Sequence, residues 1–403
     1  MSTLDTAASP RPIRLDAATF APPSDLTALR AKALIAGGIG AALSLLGFFV
    51  SRPEFFRGYL IAWLLCLSIA LGSLALSMVH HLSRGAWGLM ARRIWEAAAR
   101  TLPLLLVLSL PVVLGLPSLY EWARPEVAGD PGLTRHGYLS PTWFVVRLVL
   151  YFAIWGLLAW RLDRLSAEQD RRADPDLFRR MQRIAAPGLV IYCLVSTLAS
   201  VDWLVSIEPR WYSTIYGIYF FGGHGLTAMA FLILMARWLA DREPMRSVLN
   251  PNTFHDYGKL LFTFVMLWAY FCFSQFLIIW AGNLPEEVSW YDHRTRHGWG
   301  PLALVVAICH FFIPFGLLLS RGLKRSPRKL VVVAFWMLAM RWVDFVWQVE
   351  PTFHPQGLHL PWVFLATLLG LGGVWLWAFL GQLQKRPLLP VNDPYLAEAV
   401  GHE

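Results

Sequence analysis

Ten apolar runs of roughly 20 residues recur along the chain. At 1.5 Å of rise per residue, a helix of that length crosses the ~30 Å of hydrocarbon in a bilayer. Backbone polar groups have no water there, so each run must satisfy its own N–H and C=O groups by coiling into a helix. The runs lie near 31–50, 57–80, 101–120, 141–161, 185–207, 213–237, 259–281, 299–320, 330–349 and 361–383, and we number them spans 1 to 10. Composition agrees: 56% of the 403 residues are hydrophobic and 15% charged, where a soluble chain carries about a quarter charged. The expected fold is therefore an all-α integral membrane protein with about ten transmembrane helices. Residues 1–30 have no apolar core and read as a cytoplasmic tail, disordered or extended, not as a signal peptide.

Lys and Arg are distributed unevenly between the two sets of loops. Of the 35, 26 fall in the N-terminal tail, the C-terminal tail and the loops after spans 2, 4, 6 and 8, and seven in the other loops. By the positive-inside rule both termini face the cytoplasm. The net charge of +9 follows from this bias, and no nucleic-acid partner is expected. Cys66, Cys193, Cys272 and Cys309 sit in four different spans with no C-x-x-C pair. That argues against iron–sulfur, c-type haem and structural zinc sites.

Two motifs occur twice. VDWLVSIEP at 201–209 returns as VDFVWQVEP at 343–351, and TRHG at 134–137 returns at 295–298. Each pair is four spans apart, so spans 2–5 and 6–9 are expected to be related four-helix bundles of the same orientation, with spans 1 and 10 peripheral. The implied divisions are span 1 with its loop at 31–56, a first bundle at 57–212, a second at 213–355, and span 10 with a cytoplasmic tail at 356–403.

Ionisable groups inside a bilayer are costly, so they pair and often mark pathways. Asp202 and Arg147 each lie about six residues, or ~9 Å, inside the outer ends of adjacent spans, which suits an ion pair. His136 and Glu208 are expected just above it. Asp344 stands at the equivalent depth of the second bundle, with Arg341 one turn away on the same face. His224 and His310 share a depth of ~16 Å, and Gln275 could join them. Pro314 removes a donor to the His310 carbonyl, so a kink is expected there. With Glu350 above, these residues read as a column for protons or a ligand. Two level histidines could also hold one b-type haem.

The stretch VDWLVSIEPRWYSTIYG and the run FHDYGKLLFTFVMLWAYFCFSQFLIIWAGNLPEE at 254–287 resemble the F-type membrane subunit of alternative complex III, within the NrfD-like, polysulfide-reductase membrane-subunit superfamily. The resemblance covers roughly 31–383. It implies a bacterial inner-membrane subunit of a quinol:electron-acceptor (cytochrome c) oxidoreductase, with two four-helix bundles and no haem or metal of its own. It implies partners as well: a sister quinol-binding membrane subunit, iron–sulfur and multihaem cytochrome c subunits, and phospholipid. On matching positions, His136, Arg147, Asp202 and Glu208 become candidates for a site for quinol, whether menaquinol or ubiquinol. His224, Gln275, His310, Arg341, Asp344 and Glu350 become candidates for a proton path. The other reading is a standalone secondary transporter with two parallel repeats, which would need a gated site at the midplane.

Overall fold

The computed structural model describes residues 19–127 and 130–396. Among them there is no strand, and ten helical segments are long and apolar enough to cross a membrane. They are span 1 Asp25–Val50, span 2 Arg52–Ser83, span 3 Trp87–Leu114, span 4 Pro141–Arg171, span 5 Pro175–Ile207, span 6 Tyr216–Leu239, span 7 Pro251–Gly282, span 8 Trp299–Leu319, span 9 Pro327–Thr352 and span 10 Trp362–Leu383. The chain is thus an all-α, multi-pass membrane protein.

Local chemistry sets many of the boundaries. Prolines open spans 4, 5, 7 and 9, where a missing N–H costs nothing. Asn250 caps span 7 through its side-chain oxygen, and Asn283 closes it in the left-handed region.

Several boundaries differ from the sequence reading: span 4 runs on to Arg171, and spans 5 and 7 start early, at Pro175 and Pro251. Span 1 starts at Asp25, inside the expected tail; residues 1–18 lie outside the described residues. Span 3 starts well before residue 101, because Arg92, Arg93 and Glu96 on its first half are buried against protein instead of ending the helix in water. It is broken into pieces around Thr101 and Ser109, each followed two residues on by a proline.

Spans 2 and 6 are the most enclosed. Helix contacts run 2–3–4–5 and back to 2, and 6–7–8–9 and back to 6. The two rings meet where span 2 packs on spans 6 and 9, and span 5 on span 6. At the centre the helices touch backbone to backbone: a Cβ on Gly72 would lie 2.0 Å from the His224 carbonyl oxygen. Spans 1 and 10 pack as a pair, and a Cβ on Gly40 would meet the Gly370 nitrogen at 2.2 Å.

Residues 384–396, expected as a tail, fold back onto spans 3–5. Leu388, Leu389 and Leu396 are buried, and Asp393 accepts from Arg92 at 2.9 Å. Arg93 and Arg92 in turn bond Glu96 and Ser166. The described end of the chain therefore supplies a counter-charge for a buried arginine.

Candidate functional site

Both copies of the Asp…Glu-Pro motif carry polar clusters near one end of the helices, the Glu-Pro end. In the first, Arg147 donates to Asp202 in a fork, Nε and Nη2 each at 2.8 Å. Such bidentate geometry is the strongest ion-pair arrangement. Tyr151, one turn along span 4 from Arg147, adds a hydroxyl donor at 2.7 Å. Arg147 also donates to the Tyr138 carbonyl at 2.9 Å and lies over the Tyr138 ring. The expected pair is present, but His136 is not beside it. The TRHG turn puts Arg135, His136 and Gly137 in the left-handed region, leaving His136 exposed and Tyr138 against Arg147. The second TRHG repeats the feature at His297 and Gly298.

In the second copy, Arg341 bonds Asp344 along one helix face. Its guanidinium rests on Gly223, where a Cβ would lie 2.5 Å from Nη2, so glycine makes room for a charge. Asp344 accepts from the Tyr219 hydroxyl at 2.9 Å. Gln348 donates to Tyr219 at 3.1 Å and accepts from Tyr216 at 2.7 Å. The main-chain carbonyl of Gln348 accepts from Arg294 at 2.6 Å, and Arg294 donates to Glu208 at 2.7 Å. Glu208 also meets Thr352 at 2.7 Å and His293 at 3.3 Å. A connected polar chain thus runs from fully buried Asp344 to His293, whose side chain is 44% exposed.

Several expected neighbours are redistributed. Glu208 does not sit above Asp202; it closes the chain that begins in the other half of the repeat. Glu350 does not sit above Asp344 either. It meets Arg57 of span 2 at 3.5 Å and His354 at 2.7 Å. Each Glu-Pro glutamate therefore finds its arginine in the other half. For Glu350 helix rotation decides this, since it follows Asp344 by six residues on one helix and so points away from it. For Glu208 the chain has already left the α-helix at Trp203 and passed through a 3-10 turn, Val205–Ile207.

His224 bonds Tyr192 of span 5 at 2.8 Å. His310 lies against Trp268, the rings tilted by 40° with centroids 3.9 Å apart. The two imidazoles take different partners, although the Arg341 charge acts on both. Gln275 is buried on span 7. Where a kink is expected, His310 lies in a π-helical turn, Val306–Phe312, and the Ile313 N–H reaches the Ile308 carbonyl five residues back.

Outside the spans, the electrostatics of the Glu208 clasp are sharp. Burial pushes its carboxyl up, but the Arg294 charge and bonds from His293, Thr352 and Arg294 hold it at about 2. The bond to Glu208 raises the pKa of His293.

Sequence reasoning missed Tyr219, Tyr216, Gln348 and Arg294. Tyr151 was missed as well; it and Gln348 had a local signal, each four residues from a residue already singled out, Arg147 and Asp344, on one helix face. No family model matches the chain, and no curated protein matches it.

Proposed function

We propose that this protein is a membrane subunit, without a redox cofactor of its own, of a bacterial quinol:electron-acceptor oxidoreductase of the alternative complex III type. It acts in the inner membrane with both termini cytoplasmic, so the Glu-Pro end faces outward. The observation that carries the reading is the polar chain Asp344–Tyr219–Gln348–Arg294–Glu208, buried among apolar helices and ending at an exposed histidine. Buried carboxylates and tyrosines linked to the surface suit proton transfer. The two rings of helix contacts support two related four-helix bundles.

In this reading the second bundle conducts protons, with acids at both ends of the chain and Arg294 setting the field between them. The Asp202–Arg147–Tyr151 cluster is the candidate counterpart of a quinol site. The four cysteines lie on separate helices, and among the described residues no group of three or more His, Cys, Asp or Glu could hold a metal ion. The sister quinol-binding subunit, with iron–sulfur and multihaem cytochrome c subunits, would take the electrons.

Native mass spectrometry of the detergent-extracted protein tests the assignment: co-purification with haem and iron–sulfur subunits is expected. Stable, active protein alone would favour a secondary transporter, for which the broken span 3 and the π turn of span 8 are the motivating discontinuities. Within the complex, Tyr219→Phe should lower protons moved per electron while assembly is kept. His310→Leu, off the bonded chain, should do less. Equal, unchanged stoichiometry in both variants would make the chain structural.

A further inference from the structure

Residues 385–396 leave the end of span 10 and cross the adjoining ends of spans 3, 4 and 5 as an irregular strap. Pro387, Pro390 and Pro394 keep it from coiling into a helix. Among the described residues its main chain makes one bond across to a distant element, from the Leu388 N–H to the Phe20 carbonyl at 2.8 Å. Side chains hold the rest. Leu388, Leu389 and Leu396 are buried. Asn392 donates to the main-chain carbonyls of Gln169 and Asp170 at 2.9 and 3.1 Å, and the Tyr395 hydroxyl accepts from Arg84 at 3.1 Å.

Two ion pairs, seven residues apart, pin the strap down. Asp393 accepts from Arg92 at 2.9 Å, and Arg386 donates to Asp163 at 2.7 Å. Each partner in the bundle has a second one there. Arg92 also donates to Glu96 at 2.8 Å, and Asp163 also accepts from Arg100 at 2.8 Å. Lifting the strap therefore strands neither group, and it takes away one positive and one negative charge together. A segment that can leave without unbalancing what it covers is suited to switching between two arrangements.

A second, independent observation lies beneath it. The Tyr395 ring meets Phe178, and Phe178 meets His81. His80 and His81 are buried, and the Arg92 charge acts on both. Nδ1 of His80 and both ring nitrogens of His81 have no hydrogen-bond partner among the described residues. Native interiors seldom leave such atoms unbonded. Water entering from this end would supply the missing bonds.

We propose that residues 385–396 are a lid, closed in this structure, that pivots at the end of span 10 and opens to admit water to the His80–His81–Arg92 cluster while the spans stay in place. The inference does not rest on the quinol reading above.

The test uses the full chain in nanodiscs, a charged maleimide and peptide mapping of each labelled cysteine. Gln169→Cys puts a thiol under the strap. It gives up only the 3.4 Å bond to Asp393 and keeps the main-chain carbonyl that holds Asn392. With the strap intact, this thiol should label at least a hundredfold more slowly than in the chain unfolded in dodecyl sulfate. Adding Asp393→Ala and Arg386→Ala removes both pins and should raise the rate at least tenfold, while Cys66, buried in span 2, stays unlabelled. If that chain does not fold, Tyr395→Ala, which loosens only the far end, should raise the rate in the same direction.

Labelling as fast with the strap intact as in the unfolded chain would mean that the strap covers nothing. A rate that none of these substitutions changes would mean that it does not lift. Labelling of Cys66 together with position 169 would make the strap part of the bundle's fold. Each of these results overturns the lid.

Discussion

Asp202 and Asp344 hold matching places in two copies of one motif, and each accepts a tyrosine hydroxyl, but their arginines come from different places. Arg147 reaches Asp202 from the neighbouring helix and occupies both carboxylate oxygens, so the pair staples span 4 to span 5. Arg341 sits on the same helix as Asp344 and joins nothing across it. The link between helices is made there by Tyr219, and it continues toward the surface. Pairing across helices favours rigidity. Pairing along one helix frees the second oxygen for a hydrogen-bond chain.

The strongest challenge to this contrast removes the arginines. Arg341→Met leaves Asp344 charged and fully buried, and should cost about 3–5 kcal/mol. Adding Asp344→Leu should recover most of it. Thermal unfolding in detergent reads both changes. Arg147→Met should cost less, because the Arg147 side chain is 14% exposed where that of Arg341 is 1% and Tyr151 still donates to Asp202. Equal losses would erase the distinction.

A gentler cut is Asp202→Asn, which leaves Arg147 without its counter-charge at a cost of roughly 1–3 kcal/mol. Combining it with Arg147→Gln should restore assembly. If activity returns as well, the pair is a staple only; if assembly returns without activity, Asp202 also serves the reaction.

The tyrosines compare the sites directly. Tyr219→Phe breaks two bonds and should destabilise by about 2 kcal/mol, whereas Tyr151→Phe should cost about 1 kcal/mol, since Arg147 already satisfies both oxygens. The reverse order, measured in the same melts, would contradict the assignment of Tyr219 as the cross-helix link.

The smallest effect is a pH dependence at the Glu208 clasp. The raised pKa of His293 means its contribution is full below the ordinary value near 6.5 and disappears as pH rises through the folded value. The lowered pKa of Glu208 means its contribution is full above the ordinary value and disappears as pH falls toward about 2. The clasp should therefore stabilise most between about pH 4.5 and 6.5. His293→Ala should flatten the alkaline slope, by less than about 1 kcal/mol at so exposed a group, and lessen the acid one, because the His293 bond helps hold Glu208 down. A change on the acid side alone would refute this account.

Hydropathy and lysine–arginine placement are properties of the chain read in one dimension. They were enough to locate ten spans and to set Arg147 beside Asp202 at one depth, because depth follows residue count along a helix. Arg341 and Asp344 were legible for the same reason, being three residues apart. Where charged residues lay buried against protein the reading failed: span 3 was placed too late, and the segment around Asp393 was read as a free tail. Only the tertiary structure decided which residues face one another. It sent Glu208 to Arg294, Glu350 to Arg57, and His224 and His310 to separate partners. Those choices depend on how each helix is rotated and which neighbours close around it, and rotation is set by packing over the whole bundle, not by any local stretch of sequence.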